Sequence, residues 1–135
     1  MANKKILIVD DEPAFTAVVK LTLEVKENYE VCVENNPRNA VGTALKFLPQ
    51  IIILDVVMPE LDGGELLSQL QADPILRRIP VIFLTAIVVR NEVDQNQGFI
   101  GGWFYVAKPI SADGLVGVIE NRLRQQSRAP EQTNV

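Results

Sequence analysis

Five polar residues whose side chains could do chemistry stand directly after apolar runs of the sequence. Asp10 and Asp11 follow the first run, Asp55 follows a second, and Thr85 and Lys108 follow two others. If these runs are parallel strands, their carboxyl ends lie at one edge of a sheet, which is where open α/β sheets bind their ligands. We therefore expect the three carboxylates to converge, with the hydroxyl and the ammonium group beside them.

The charges of this cluster predict a bound cation. Two carboxylates about 4 Å apart repel each other by roughly 4 kcal/mol at an effective dielectric constant of about 20. Lys108 can neutralise part of this charge. A hard divalent ion can neutralise the rest, and Mg²⁺ fits best because it prefers a few carboxylates together with waters. The residues therefore predict a Mg²⁺ site, which Mn²⁺ could also occupy.

A metal ion, a lysine, a hydroxyl and a spare carboxylate together suit a phosphoryl group. The metal ion and Lys108 would neutralise phosphoryl oxygens, and the hydroxyl of Thr85 would donate a hydrogen bond to one of them. An aspartate at such a site can be the nucleophile that forms an aspartyl-phosphate. The cluster thus predicts phosphoryl chemistry on a carboxylate.

Composition excludes several other kinds of chemistry. The chain has 135 residues, enough for one domain, and no histidine. It therefore has no His-based catalysis and no His metal site, and it cannot itself supply a phosphohistidine. Cys32 is the single cysteine, which excludes an intrachain disulfide and a Cys-rich metal site.

Charge and hydropathy indicate where the protein works. The formal net charge of −4 argues against a module that binds nucleic acid directly. The apolar runs are well short of the ~20 residues of a membrane span. The amino terminus leads straight into a short strand, without the apolar region of a signal peptide. We expect a cytoplasmic protein that does not contact a membrane.

The elements that must position the cluster alternate along the chain. Five segments predict strands: 5–9, 30–34, 51–54, 80–84 and 103–107. After the first, Pro13 suits the first turn of a helix, in which Phe15, Val18, Leu21 and Val25 follow at helical spacing. Strands that alternate with helices predict an α/β fold with a five-stranded parallel sheet. The first choice is a doubly wound, flavodoxin-like (βα)5 arrangement with strand order 2-1-3-4-5.

The fourth helix and the carboxyl terminus are the least regular parts of this pattern. Within 87–102, Val89, Val93 and Ile100 could mark a helix, but nearby glycines make it weak and atypical. A last helix, capped by Ser111, ends a domain that we expect to span residues 4–125. Residues 126–135 are polar, and we expect a disordered tail or linker there.

Four motifs occur in order, each at the end of a predicted strand. They are Ile8-Val9-Asp10-Asp11-Glu12, Leu54-Asp55-Val56-Val57-Met58-Pro59 with Leu61-Asp62-Gly63, Phe83-Leu84-Thr85-Ala86, and Tyr105-Val106-Ala107-Lys108-Pro109. Together they resemble the receiver domain of bacterial two-component response regulators, the CheY-like superfamily. The resemblance covers nearly the whole chain, about residues 4–125.

The resemblance implies a role for each residue of the cluster. Asp55 would be the phosphoacceptor, which takes its phosphoryl group from a histidine kinase or a histidine phosphotransfer protein. Asp11 would ligate Mg²⁺ directly, and Asp10 directly or through water. Asp55 itself and the backbone carbonyl of Val57 would be further metal ligands. Lys108 would pair with Asp55 and then with a phosphoryl oxygen.

The resemblance also implies a conformational switch and not an enzyme in the ordinary sense. Thr85 would move to hydrogen-bond the phosphoryl group, and Tyr105 would turn inward behind it, changing the surface of the fourth helix, fifth strand and fifth helix. The Lys108–Pro109 peptide bond would be cis, which proline allows at low cost. Such a regulator catalyses only its own phosphorylation and dephosphorylation.

The chain departs from the family pattern before the switch tyrosine. Trp103 and Phe104 stand where the family has polar residues on an exposed stretch. Contiguous exposed apolar surface usually marks an interface. We hypothesise that these two residues form a patch for a partner or for a homodimer, and that output reaches a downstream protein or an output domain outside this sequence.

Other interpretations remain open. The acids from Asp10 to Glu12 could simply favour a helix amino terminus. A receiver-like module that signals without phosphate is the first alternative, although such a module would normally have lost an acid, the lysine or the threonine. An Asp-nucleophile phosphohydrolase is the second. Haloacid-dehalogenase-like enzymes of that class carry Asp-x-Asp after the first strand, a spacing that is missing here.

Overall fold

A computed structural model of the chain describes residues 3–56, 58, 61, 63–85, 99–100, 103–107 and 111–128. The strands are β1 (Lys4–Val9), β2 (Tyr29–Glu34), β3 (Ile51–Leu54), β4 (Val81–Thr85), β5 (Phe99–Ile100) and β6 (Trp103–Ala107). The α-helices are α1 (Pro13–Lys26), α2 (Ala40–Phe47), α3 (Gly63–Ala72) and α4 (Ala112–Arg128), with short 3-10 turns at Pro37–Asn39 and Leu76–Arg78.

The strands form one sheet in the order β2-β1-β3-β4-β6-β5. The five predicted strands lie parallel and in the predicted order. The prediction of only five strands is wrong, because β5 adds a two-residue antiparallel strand beside β6. Ile100 therefore lies in a strand and not in the weak helix. The rest of that predicted region, residues 87–98 and 101–102, lies outside the described residues.

Buried side chains alternate between the two faces of the sheet. In β1, Ile6 and Ile8 belong to the core layer under α1 and α4, whereas Leu7 and Val9 belong to the layer under α2 and α3. Every residue of β3 is buried, as expected for a strand that is covered on both faces. The sheet thus separates two apolar layers, which hold the strand ends in place.

The first helix forms where the sequence predicts it, but most of the residues whose spacing predicts it lie away from the core. Pro13 occupies its first turn, as predicted. The residues that face the core are Thr16 and Leu23, with Phe15 and Val19 partly buried beside them. The other three residues of the predicted helical pattern, Val18, Leu21 and Val25, lie on the exposed side.

The last helix begins as predicted and ends later. The Ser111 hydroxyl accepts a hydrogen bond from the backbone N–H of Gly114 at 3.0 Å, which is the expected amino-terminal cap. The helix continues to Arg128, so 126–128 are helical and not part of a disordered tail. Neither Gly nor Pro interrupts the chain between Asn121 and Arg128. Residues 129–135 lie outside the described residues.

No helix in the described part of the chain is long and apolar enough to cross a membrane.

Candidate functional site

The register of two central strands brings the predicted carboxylates together. Val9 of β1 pairs with Leu54 of β3, so Asp10 and Asp55 follow side by side. The backbone N–H of Asp55 donates to the carbonyl of Val9 at 3.0 Å. Carboxylate oxygens of Asp10, Asp11 and Asp55 all lie within 4.8 Å of one another. This confirms that the three acids converge at the carboxyl edge of the sheet.

The burial of the cluster suits a hard cation. Asp10 is 2% exposed and Asp55 is 7% exposed, while Asp11 is half-buried. Buried carboxylates are costly unless they are paired or coordinate a metal ion. Three oxygen ligands, of which one is accessible, fit Mg²⁺, because this ion binds a few carboxylates and keeps several waters.

Asp10 is held at three points by neighbouring backbone and side-chain groups. Its backbone N–H donates to the carbonyl of Glu34 at 3.2 Å. Its Oδ1 accepts from the backbone N–H of Glu12 at 3.0 Å. Its carbonyl accepts from Nδ2 of Asn35 at 2.8 Å. The end of β1 therefore presents its carboxylate from a fixed backbone.

Gly63 closes the loop that follows Asp55. Its backbone N–H donates to the carbonyl of Val56 at 2.7 Å. A Cβ atom at this position would lie 2.6 Å from the carbonyl oxygen of Asp55 and 2.8 Å from Cα of Val56. Only glycine allows this close approach of two backbone segments. The Asp62-Gly63 motif thus has a steric reason, which the sequence analysis did not supply.

The structure describes only some of the remaining predicted site residues. Thr85 ends β4 and its Cα pairs with that of Ala107, the last residue of β6. Tyr105 pairs with Phe83 in the same ladder. The description of Thr85 and Tyr105 is limited to the backbone. Lys108 and Pro109, with their predicted cis bond, lie outside the described residues, as does Val57.

The proposed interface residues Trp103 and Phe104 are the first two residues of β6. Their backbones pair with those of Ile100 and Phe99 in β5. The backbone alone is described at these two positions, so the proposed patch stays a prediction.

The exposure of an apolar stripe on α1 is a feature that the sequence analysis did not predict. Val18, Leu21 and Val25 are 64%, 66% and 76% exposed. They follow at spacings of three and four residues and so share one face of the helix. The helix begins at Pro13, two residues beyond Asp11, and the stripe therefore extends away from the acidic cluster. The sequence does carry a signal for this stripe, because α1 contains more apolar residues than one buried face needs.

A match to a protein-family model identifies the family of this chain. Residues 6–120 match the model of the response regulator receiver domain. The chain belongs to the response regulator receiver family. The predicted membership of this CheY-like family of two-component signalling is therefore confirmed.

Curated relatives of this receiver domain are longer proteins. The chain is 32% identical over 127 residues to the response regulator Rre1 of Synechocystis, and covers 54% of that protein. It is 36% identical over 128 residues to the transcriptional regulatory protein PhoP of Bacillus subtilis, and covers 51% of it. These alignments include 93% and 94% of this chain. The chain thus spans about half the length of these relatives.

A solved structure with the same fold holds a metal ion. The receiver domain of the sensor histidine kinase PA1611 from Pseudomonas aeruginosa is 27% identical, with a TM-score of 0.75. The match covers 90% of this chain and 98% of that one. In that domain a magnesium ion is coordinated in the active-site cleft.

Proposed function

We propose that this receiver domain is a phosphoacceptor switch of a two-component phosphorelay. A carboxylate oxygen of Asp55 attacks the phosphorus of a phosphohistidine on a histidine kinase or phosphotransfer protein. The P–N bond breaks, its electron pair returns to the imidazole, and Asp55 becomes an aspartyl-phosphate. The observation that carries this proposal is the convergence of Asp10, Asp11 and Asp55 at the sheet edge.

Asp10, Asp11 and Asp55, with the carbonyl of Val57, would hold Mg²⁺, or Mn²⁺ in its place. When bound, the ion neutralises charge on the phosphoryl oxygens. Lys108 would pair with a further oxygen, and Thr85 would donate a hydrogen bond to another. The movement of Thr85 and Tyr105 would then carry the signal to the surface around β6 and α4, and on to a downstream protein or an output domain.

The exposed stripe of α1 supports docking of the phosphodonor. A donor histidine must reach Asp55, so the donor protein must cover surface beside the acidic cluster. The stripe of Val18, Leu21 and Val25 lies on the helix that starts at that cluster. Exposed apolar residues in a contiguous row favour contact with another protein. We assign this face to the phosphodonor, and treat the Trp103–Phe104 patch as a separate candidate for output or homodimer contacts.

Intact-mass measurement after incubation with acetyl phosphate tests the central step. We expect the wild-type protein to gain a phosphoryl group in the presence of Mg²⁺ and not in the presence of EDTA. The Asp55→Asn variant should gain none, because the amide is not a nucleophile for this transfer.

Asp113→Asn is the matched control. Asp113 lies on the exposed face of α4 and pairs with Lys26, away from the cluster, so this variant should be labelled like wild type. Wild-type protein that gains no phosphoryl group, either from acetyl phosphate or from a promiscuous histidine kinase, would favour a phosphate-independent interaction module. Release of inorganic phosphate from a phosphate monoester, which is not an activated donor for a receiver domain, would instead favour a phosphohydrolase.

A further inference from the structure

Asn35 joins the end of β2 to the acidic cluster through both hydrogens of its side-chain amide. Its Nδ2 donates to the backbone carbonyl of Asp10 at 2.8 Å and to the hydroxyl Oγ1 of Thr16 at 3.0 Å. Thr16 is buried in α1, and its hydroxyl lies 3.1 Å from the carbonyl of Pro13, to which it donates. One side chain therefore links β1, β2 and the first turn of α1.

These contacts fix the backbone on both sides of Asp11. The carbonyl of Asp10 belongs to the peptide plane that leads into Asp11, because peptide units are planar. Asn35 holds that plane. On the other side, the backbone N–H of Glu12 is held by Oδ1 of Asp10 at 3.0 Å. The direction in which the Asp11 side chain leaves the backbone is thus set by the Asn35 amide on one side and by the Asp10 carboxylate on the other.

We propose that Asn35 is a positioning residue that orients Asp11 against Asp10 and Asp55, and so sets the affinity and selectivity of the cluster for Mg²⁺. This inference rests on the proposed function, since it presumes that the cluster binds the ion. It assigns a role to a residue that touches neither the ion nor the phosphoryl group.

The chemistry of the two common divalent ions makes this role measurable. Mg²⁺ demands near-octahedral geometry, whereas Ca²⁺ accepts flexible geometry and variable ligand number. Residues that orient metal ligands typically change metal affinity by about 10- to 100-fold when they are removed. Removing one backbone anchor beside a half-exposed ligand should change the affinity by an amount at or below the lower end of that range. It should weaken the binding of Mg²⁺ more than the binding of Ca²⁺.

Isothermal titration of the purified protein with MgCl₂ and with CaCl₂ provides the test, for wild type, Asn35→Ala and Asn36→Ala. Asn36 is the matched control, since its side chain accepts from the N–H of Arg38 in the following 3-10 turn and does not touch the cluster. We expect the Mg²⁺ dissociation constant of Asn35→Ala to rise about three- to tenfold. Its Ca²⁺ constant should change by less than about twofold, because Ca²⁺ tolerates a displaced ligand. Asn36→Ala should match wild type for both ions.

Thr16→Val provides an independent variant, because valine has the shape of threonine and removes only the hydroxyl. It should weaken Mg²⁺ in the same direction, and it carries the test alone if Asn35→Ala does not fold. Equal weakening of both ions, or unchanged Mg²⁺ binding, would overturn the inference. Wild-type protein that binds no Mg²⁺ would refute the metal site of the proposed function itself, which separates the two failures.

Discussion

At the scale of single residues, the acidic cluster depends on backbone groups that hold its carboxylates. Asp10 is fixed by hydrogen bonds to its N–H, its carbonyl and one carboxylate oxygen. Asp55 is fixed by the N–H bond to Val9 and by the tight approach of Gly63 behind it. The spacing of the carboxylates is therefore set largely by residues outside the acidic cluster.

Gly63→Ala should disturb the loop that carries Asp55. The added methyl carbon would overlap the Asp55 carbonyl oxygen, at 2.6 Å, and backbone must move to relieve the overlap. We expect a loss of about 1–3 kcal/mol in the free energy of unfolding, measured by urea denaturation. Labelling by acetyl phosphate should also slow.

Gly117→Ala is the control for this change. Gly117 lies within α4, and a Cβ atom there would meet no atom within 4 Å. This variant should gain about 0.5–1 kcal/mol, since alanine favours the helix. If both variants had the same stability, the steric account of Gly63 would be wrong.

At the scale of elements, α1 contributes to the core through one face, and its opposite face is exposed to solvent. Leu21→Ser should change the free energy of unfolding by no more than about 0.5 kcal/mol, because Leu21 is 66% exposed. Labelling by acetyl phosphate should stay unchanged. Phosphotransfer from a cognate histidine donor should fall about tenfold, as for a residue central to an interface.

Ile75→Ser is the matched control for the α1 variant. Ile75 is 56% exposed but precedes the 3-10 turn before β4, at the opposite edge of the sheet. We expect it to leave both kinds of phosphorylation unchanged. If the donor phosphorylates Leu21→Ser as fast as wild type, the docking surface for the donor does not include α1.

The predictable elements are those with strong local patterns. Four apolar runs that end in acids or a threonine, or lead to Lys108, together with the segment 30–34, were enough to predict the five parallel strands and the convergence of Asp10 and Asp55. The two-residue strand β5 was missed, because it is too short to show periodicity. Its only local signal was Gly101-Gly102, a dipeptide typical of hairpin turns.

Long-range contacts explain the other gaps. The pattern of α1 predicts a helix correctly but cannot show which of its apolar stripes meets the sheet. The bond between Asn35 and Asp10 joins residues 25 apart in sequence, and nothing local distinguishes Asn35 from Asn36. Both features depend on how the elements pack, which local patterns do not encode.

At the scale of the whole molecule, one junction ties the sheet to α4 at the edge opposite the acids. The Tyr29 hydroxyl donates to Oε2 of Glu120 at 2.6 Å, and Lys4 Nζ donates to Oε1 at 2.7 Å. Burial, and then the hydrogen bond to Glu120, raises the pKa of Tyr29 above its ordinary value of 10.0. Burial opposes ionisation of Glu120, but the bonds from Lys4 and Tyr29 prevail and lower its pKa.

This junction predicts a loss of stability in alkali. Because the pKa of Tyr29 is higher in the folded than in the unfolded protein, its contribution is complete below pH 10. It is lost progressively as the pH rises toward the folded pKa. Tyr29→Phe should cost about 1–2 kcal/mol at pH 8 by removing the bond to a carboxylate.

Thermal unfolding at pH 8 and pH 11 would measure this effect. Wild type should lose more stability than Tyr29→Phe between the two pH values, so that the difference between them shrinks. A difference that stays constant would contradict the assignment of the titration to Tyr29.

The division of the core by the sheet has an evolutionary consequence. Leu66 of α3 and Ile119 of α4 lie in separate layers, with the strands between them. Substitutions that do not share neighbours add in their effects on stability. Larger and smaller side chains can therefore replace one another within one layer over many generations, without compensating substitutions in the other layer. Lineages can diversify one side while the opposite side stays unchanged, and the strand ends that carry the acids keep their places throughout.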